Sequence, residues 1–356
     1  MRTTLSIANK KISLFTLMFT IGVSAALIQS AILLHVLSLD WKIILMLFIT
    51  SSIAFLFVAM LIKVFTGKED HVMLRYFIAI MLLNFLVLQG LHQPILLCLD
   101  ILAVGYGTII FFGRFGCFIV GCCHGRPNSF GVCYSHDHLK EGFTSYYSGI
   151  RLFPVQLAEA FILFFILVLA ISQVIFLPAG TALGTFVISY SMVRFILEFF
   201  RGDPGRPYFL FFSEAQWTTL LLSVFISVQG WRGKIPIHSW EIIAIAILIV
   251  LFVSIGLLRI FLPQLRITES SHIEEMMRIK WSSASQPVNV LTTSLGINIS
   301  GSRIGERFQY TLSSKKIKLN DSLAKKLASV LLLRHQKSSM KIITEKQGIF
   351  HVIFED

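Results

Sequence analysis

Residues 94–127 read PILLCLDILAVGYGTIIFFGRFGCFIVGCCHGRP. From Ile95 to Phe112 the only charged side chain is Asp100. That run approaches the roughly 20 apolar residues a helix needs to cross a bilayer. It ends, between Gly113 and Pro127, in two arginines, four glycines, a proline, three cysteines and a histidine. Charge at membrane depth is expensive and normally has a function. The glycines point to a backbone that bends tightly or lets something come close.

Outward from this stretch the apolar pattern repeats. Residues 12–39, 43–62, 76–99, 160–193, 215–231 and 242–258 contain no Lys, Arg, Asp or Glu. Of 356 residues, 55% are hydrophobic and 14% charged, against about 25% charged in soluble domains. Residues 1–265 are therefore expected to form an all-α polytopic membrane helix bundle of seven to eight transmembrane helices. The spans fall near 13–38, 42–65, 76–92, 94–112, 154–178, 179–200, 214–230 and 240–264. Breaks at His92-Gln93-Pro94 and Leu177-Pro178-Ala179-Gly180 separate neighbours, since proline disfavours helix in the residue before it. The first span follows Arg2, Lys10 and Lys11 but is too long for a signal peptide's apolar region, so it reads as a retained anchor.

Residues 113–153 are expected to be irregular, given Asn128, Ser129, Gly131, Gly142, Ser145, Ser148 and Gly149. Irregular backbone at membrane depth must be buried in protein or line a wet cavity. From residue 266 hydrophobicity drops. Val288–Ile299 and Lys341–Phe354 alternate like strands, and Asn320-Asp321-Ser322 before LAKKLASVLLL reads as a capped amphipathic helix. Residues 266–356 are expected to be a small α+β extramembrane domain.

The net charge of +12 fits a cytoplasmic Lys/Arg excess and contact with anionic lipid. Nucleic acid is not an expected partner, because no basic run is interleaved with aromatics and half the basic excess lies in the tail. The charge bias places the 113–152 loop and the tail on the cytoplasmic side, and eight spans put both on one side.

Arg114, Arg126, Arg194 and Arg201 lie at the ends of apolar segments. A guanidinium binds phosphate through paired hydrogen bonds and stays charged when partly buried, so together they suit a phospholipid headgroup. Singly, each could equally snorkel or pair with a carboxylate. Arg194 and Glu198 share a helical face, with Arg201 three residues on. Gln156 and Glu159 form another polar pair, and Glu159 is a candidate partner for an arginine. Cys117, Cys122, Cys123 and Cys133 cluster beside His124. Packed apolar cysteines, a disulfide, a metal site or a nucleophilic thiol all fit that cluster. Its spacing matches no common zinc module, and no metal or cofactor is assigned. His136 and His138 are weak metal candidates. His71 is a possible proton acceptor.

Five blocks carry a resemblance. Gly113–Pro127, GRFGCFIVGCCHGRP, resembles the signature G-R-x-G-N-F-x-N-x-E-x-x-G-R-P of the bacterial prolipoprotein diacylglyceryl transferases. Pro94 and Asp100 match that family's proline and aspartate in register. FPVQLAE (153–159) resembles H-P-S-Q-L-Y-E, RFILEFFR (194–201) resembles R-F-x-x-E-F-F-R, and SEAQW (213–217) resembles S-x-G-Q-W. The resemblance implies a bacterial cytoplasmic-membrane enzyme that moves the diacylglyceryl group of phosphatidylglycerol, or another glycerophospholipid, to a lipoprotein-precursor cysteine. It implies that Arg114 and Arg194 hold the phosphate with Glu198 and His71 in the catalytic set. Arg126, Arg201, Gly116, Gly125, Gln156 and Glu159 would then line the substrate, and the site would face outward.

The chain also departs from the family. Cys117 and Val120 stand for signature asparagines, Cys122 for a glutamate and Phe153 for a histidine. There is no His-Gly-Gly segment, and His71 lies only approximately where its histidine would fall. These departures fit a changed acceptor with the lipid donor kept. The alternative reading is a non-catalytic lipid-binding or thiol-redox-sensing membrane protein, with Cys117, Cys122 and Cys123 as the thiol site.

Overall fold

Every charge-free stretch becomes helix. A computed structural model describes residues 3–7, 10–67, 73–204, 206–267, 269–285, 290–304, 307–317, 319–331, 339–346 and 348–355. A short hairpin, β1 (Thr4–Ile7) and β2 (Lys10–Ser13), leads into α1 (Leu14–Val36) and α2 (Lys42–Thr66). Then come α3 (Met73–Gly90), α4 (Ile95–Val120), α5 (Val155–Phe176), α6 (Thr181–Glu198), α7 (Glu214–Trp231) and α8 (Ser239–Phe261). Among the described residues, α1 to α6 and α8 are long and apolar enough to cross a membrane. The chain is a multi-pass membrane protein. The helix α7 occupies an expected span but carries Gln216, Thr218, Thr219, Ser223 and Ser227, which lower its hydropathy.

Two of the helix junctions fall at the expected proline breaks. Pro94 is the N-cap of α4 and Gly180, at φ 94°, that of α6. Asp100, inside α4, accepts the backbone N–H groups of Gly180 and Leu183, each at 2.6 Å. A helix N-terminus has orphan N–H donors and a partial positive charge, so a carboxylate there is stabilised. This accounts for a buried aspartate in a membrane helix.

One expectation is corrected. The segment from Gly113 is not irregular throughout, because α4 runs on to Val120. Glycine costs a helix about 1 kcal/mol, but packing overrides that here. A Cβ on Gly116 would lie 3.0 Å from Phe15 Cδ2 and 3.3 Å from Met18 Cβ. Gly116 lets α1 lie close against α4, as small residues do between membrane helices. The irregular part begins at Gly121. It contains β3 (Pro127–Cys133) paired with β4 (Arg151–Leu152) and two short 3-10 turns at His136–Glu141 and Ser145–Tyr147.

The helices α4 and α6 are the most enclosed in the bundle. Leu88, Cys98, Ala103, Leu163, Ala170, Ala182 and Ile188 fill the space around them. The outer faces of α2 and α8 expose Leu56, Phe57, Phe65, Ile243, Val250 and Phe261, as lipid-facing helices do.

A hairpin of β5 (Tyr208–Phe209) and β6 (Phe212–Ser213) joins α6 to α7. Beyond α8, α9 (Ser270–Ser285) and α10 (Asp321–Leu331) pack with one antiparallel sheet. Its strands are β7 (Leu291–Thr292), β8 (Ile297–Ile304), β9 (Arg307–Ser314), β10 (Ser339–Lys346) and β11 (Ile349–Glu355), in the order β10-β11-β9-β8-β7. The alternating stretch at 341–354 is a hairpin rather than one strand, with Gly348 at φ 90° in its turn. Asn320 Oδ1 accepts the Leu323 N–H at 2.9 Å, which is the expected cap. Tyr134, Phe143, Tyr147, Ile150 and Leu152 of the irregular segment share a core with Ile273, Met276, Leu295, Leu327 and Val352 of the tail.

Candidate active site

Three helices and one loop bring their charges together at a single end of the bundle. Arg114 near the end of α4 pairs with Glu159 of α5 at 2.9 Å. The other oxygen of Glu159 lies 3.6 Å from Arg194 of α6, and Tyr190 donates its hydroxyl to Glu159 at 2.7 Å. One turn on, Arg194 pairs with Glu198 at 2.8 Å. Glu198 also meets Arg201 at 3.7 Å and is hydrogen-bonded by Arg206. Arg201 in turn forms a two-pronged pair with Asp203, at 2.8 and 2.6 Å. The result is a continuous buried ladder of alternating sign. Burial of this kind is tolerated only when charges are paired and hydrogen-bonded.

The ladder is not closed. Arg114 Nε is buried without a hydrogen-bond partner among the described residues, and Arg194 Nη1 has only its 3.6 Å ion-pair contact with Glu159. Arg126 has no ion-pair partner among them either; its Nε reaches only the Arg201 carbonyl, at 3.4 Å. Burial pushes the Arg126 pKa down, with Tyr208 and Glu269 opposing. Five arginines therefore face three carboxylates, and unused N–H donors remain inside.

The signature's second half is held by backbone. The Gly125 N–H donates to the Phe153 carbonyl at 2.9 Å, Arg126 N–H to Phe200 at 3.0 Å, and Gly202 N–H to His124 at 2.9 Å. A Cβ on Gly125 would lie 2.4 Å from the Phe153 carbonyl oxygen. The segment at Phe153 therefore leaves room only for glycine at position 125. Gln156 donates to the Cys122 carbonyl at 2.6 Å and so braces the same turn, while Glu159 one turn away serves the arginines.

The Sγ atoms of Cys117, Cys122 and Cys123 all lie within 4.8 Å of one another, and all three are free thiols. Hydrogen bonding from Cys117 and Cys122 pulls the Cys123 pKa well below the usual thiol value; burial opposes this, and Arg201 and Arg114 add to it. Cys122 moves the other way, raised by its thiol neighbours. Cys133 is exposed and Cys98 buried in the bundle, so neither joins them. His124 is packed edge-on to Phe143 and Tyr147, and burial lowers its pKa. His138 is buried with its Nδ1 against Ser135, a structural place. His71 lies outside the described residues.

A groove of about 740 Å³ runs along the bundle between α3, α4, α6 and α7, from Phe77 and Thr218 at the ladder's end to Gln229 and Lys234 at the other. A smaller void of about 20 Å³ borders it at Phe77, Val187 and Leu222 and reaches Tyr190. The groove is apolar and leads toward the charged ladder.

The profile of the prolipoprotein diacylglyceryl transferases matches residues 2–232. The chain belongs to that family. It is 30% identical over 143 residues to the phosphatidylglycerol–prolipoprotein diacylglyceryl transferase of Clostridium tetani, covering 38% of this chain and 54% of that protein. It is 28% identical over 137 residues to phosphatidylglycerol–prolipoprotein diacylglyceryl transferase 2 of Clostridium perfringens, covering 37% and 48%. With the phosphatidylglycerol–prolipoprotein diacylglyceryl transferase of a Wolbachia species it shares 33% identity over 148 residues, 38% and 51% of the two chains. The chain thus spans about half the length of the curated relatives it matches.

Within this diacylglyceryl transferase frame, the ladder includes residues that motif reading passes over. Arg206 and Asp203 complete it from the segment after α6, and Tyr190 from within α6. The signal for the first two was the charge-dense RGDPGR run beginning at Arg201. Tyr190 stands four residues before Arg194, on the same helical face.

Proposed function

We propose that this protein is a transferase of the bacterial cytoplasmic membrane. It takes the diacylglyceryl group from phosphatidylglycerol or a related glycerophospholipid and passes it to an acceptor, foremost the cysteine thiol of a lipoprotein precursor. The observation that carries this reading is the pair of under-bonded donors, Arg114 Nε, which has no hydrogen-bond partner among the described residues, and Arg194 Nη1, which has only the 3.6 Å contact to Glu159. They belong to the two arginines that the family resemblance assigns to the phosphate. A buried donor without a partner costs about 1–3 kcal/mol. A phosphate group, with several acceptor oxygens, would supply the acceptors that these guanidinium groups lack.

The chemistry is a displacement at the glycerol carbon. The acceptor thiolate forms the new S–C bond, the C–O bond to phosphate breaks, and glycerol phosphate leaves with the electron pair. Charge grows on the departing phosphate, where fixed cations in a dry site act best. Arg114 and Arg194 hold the phosphate; Arg126 and Arg201 add positive potential. Glu159 and Glu198 are substrate-side residues that keep the guanidinium groups in place. The acyl chains occupy the groove between α3 and α7. The donor half of the family's site is retained, while Cys117, Val120, Cys122 and Phe153 replace its polar activation residues. The thiol acceptor therefore rests on the relatives' names rather than on this site.

Proteoliposomes containing labelled phosphatidylglycerol and a lipobox peptide test this reading. The expected result is release of glycerol phosphate with a diacylglyceryl mass gain on the peptide. Arg114→Lys and Arg194→Lys keep the charge but lose the planar fork. Each should lower turnover by roughly 10²–10³-fold, with the melting temperature in detergent little changed. Wild-type activity in both variants would rule out the phosphate clamp. Mass spectrometry of membranes with and without the protein identifies a different acceptor if the peptide is not modified.

A further inference from the structure

We infer that Cys117, Cys122 and Cys123 form a three-sulfur binding site for a soft monovalent metal ion, copper(I). The three Sγ atoms lie within 4.8 Å of one another. A trigonal ion with metal–sulfur bonds of about 2.3 Å needs sulfurs about 4 Å apart, so small rotations of the thiols close the site. The local chain is shaped for it. Cys117 lies in the last turn of α4, and Cys123 adopts a left-handed conformation at φ 56°. A non-glycine residue held there costs of order 1–3 kcal/mol and persists where its surroundings demand it. Gly121 and Cys123 both have positive φ, so the chain turns back on itself after α4 and brings the Cys122 and Cys123 sulfurs to Cys117.

The donor set selects the metal. No histidine or carboxylate joins the three sulfurs among the described residues. His124, next in sequence, has Nδ1 at 2.9 Å from the Gly125 carbonyl and its ring against Phe143 and Tyr147. Thiolates bind zinc and iron as well as copper(I), but zinc takes four ligands in structural sites, so three sulfurs with no fourth donor among the described residues suit copper(I) best. The surroundings fit the charge as well. Copper(I) held by three thiolates carries a net charge of −2. Arg114 and Arg201 act on the cluster, in a region where arginines outnumber carboxylates. The Tyr134 hydroxyl is buried beside Cys117, Cys122 and Gln156. Gln156 donates to the Cys122 carbonyl at 2.6 Å, the kind of outer contact that orients metal ligands. This inference stands apart from the transferase reading, since neither phosphate nor acceptor enters it.

The full-length protein, purified under reducing and anaerobic conditions, is titrated with copper(I) against a chromophoric chelator. The expected result is one copper(I) per chain, with X-ray absorption showing three sulfur neighbours. Cys122→Ser should weaken binding by roughly 100-fold or more, with an unchanged gel-filtration profile, and Cys133→Ser should bind like wild type. Cys117→Ser provides a second variant in case Cys122→Ser misfolds. Failure to retain copper(I), equal retention in the folded Cys122→Ser and Cys117→Ser variants, or stoichiometric zinc held in preference to copper(I) would each overturn the assignment.

Discussion

Glu159 neutralises two arginines from different helices, Arg114 at 2.9 Å and Arg194 at 3.6 Å. Removing one member of a buried charge network typically costs 3–5 kcal/mol, because the partners stay behind uncompensated. Glu159→Gln keeps the shape and can still accept from Tyr190, so the loss it reports is that of charge. It should destabilise the detergent-solubilised protein by about 3 kcal/mol in thermal unfolding. Short-chain phosphatidylglycerol should restore part of that loss by supplying the missing anion. At this scale the sequence was informative about arginines, because charge at the end of an apolar run has few cheap explanations. It was less informative about glycines. A Cβ on Gly116 would meet Phe15 and one on Gly125 would meet Phe153. A glycine signals close approach but carries no information about what approaches.

The helices were legible as elements because charge-free length is a direct consequence of bilayer thickness. The expected limits of α1, α2, α5 and α6 lie within a few residues of those observed. The C-terminal eight residues of α4 were not legible, since two glycines argued locally against a helix that contact with α1 sustains. Nor was α9 expected, its residues being largely polar. This helix carries a pH-sensitive contact. His272 has Nδ1 at 2.8 Å from the Ile267 carbonyl and Nε2 at 3.2 Å from Thr293 Oγ1. Burial lowers its pKa below the ordinary 6.5, with Ile267 and Glu275 opposing and Arg266 adding to the fall. In the unfolded chain His272 takes up a proton as pH falls through about 6.5, whereas the folded form resists it. The stabilisation is present above that pH and is lost below it, at up to about 1.4 kcal/mol per pH unit. Hydrogen exchange of α9, corrected for intrinsic rates, should speed up between pH 7 and 5.5. His272→Gln should abolish the acceleration, and an equal acceleration in that variant would assign it elsewhere.

At the scale of the whole molecule, the tail closes over the charged end of the bundle. Arg206 joins Glu198 to Ser270 Oγ, the latter at 3.0 Å, and Arg259 at the end of α8 meets Glu269 at 3.2 Å. Beneath these contacts, Tyr134, Phe143 and Tyr147 share one core with Ile273 and Met276. A domain boundary drawn at residue 266 therefore separates composition but not packing. Shared burial also constrains topology. The irregular segment and the tail must lie on one side of the membrane, with an even number of crossings between them, so α7 crosses along with α5, α6 and α8 despite its lower hydropathy. Cys133 is exposed in the segment, and Ser322 is exposed at the start of α10. In a Ser322→Cys variant, a membrane-impermeant maleimide should label both positions in the same preparation, either intact cells or inverted vesicles, as read by peptide mass mapping. Which preparation that is decides between the inward bias of the lysines and arginines and the outward-facing site implied by the family. Labelling of the two positions from opposite faces would require an odd number of crossings. The ladder that runs from Arg114 to Ser270 could not then form within one chain.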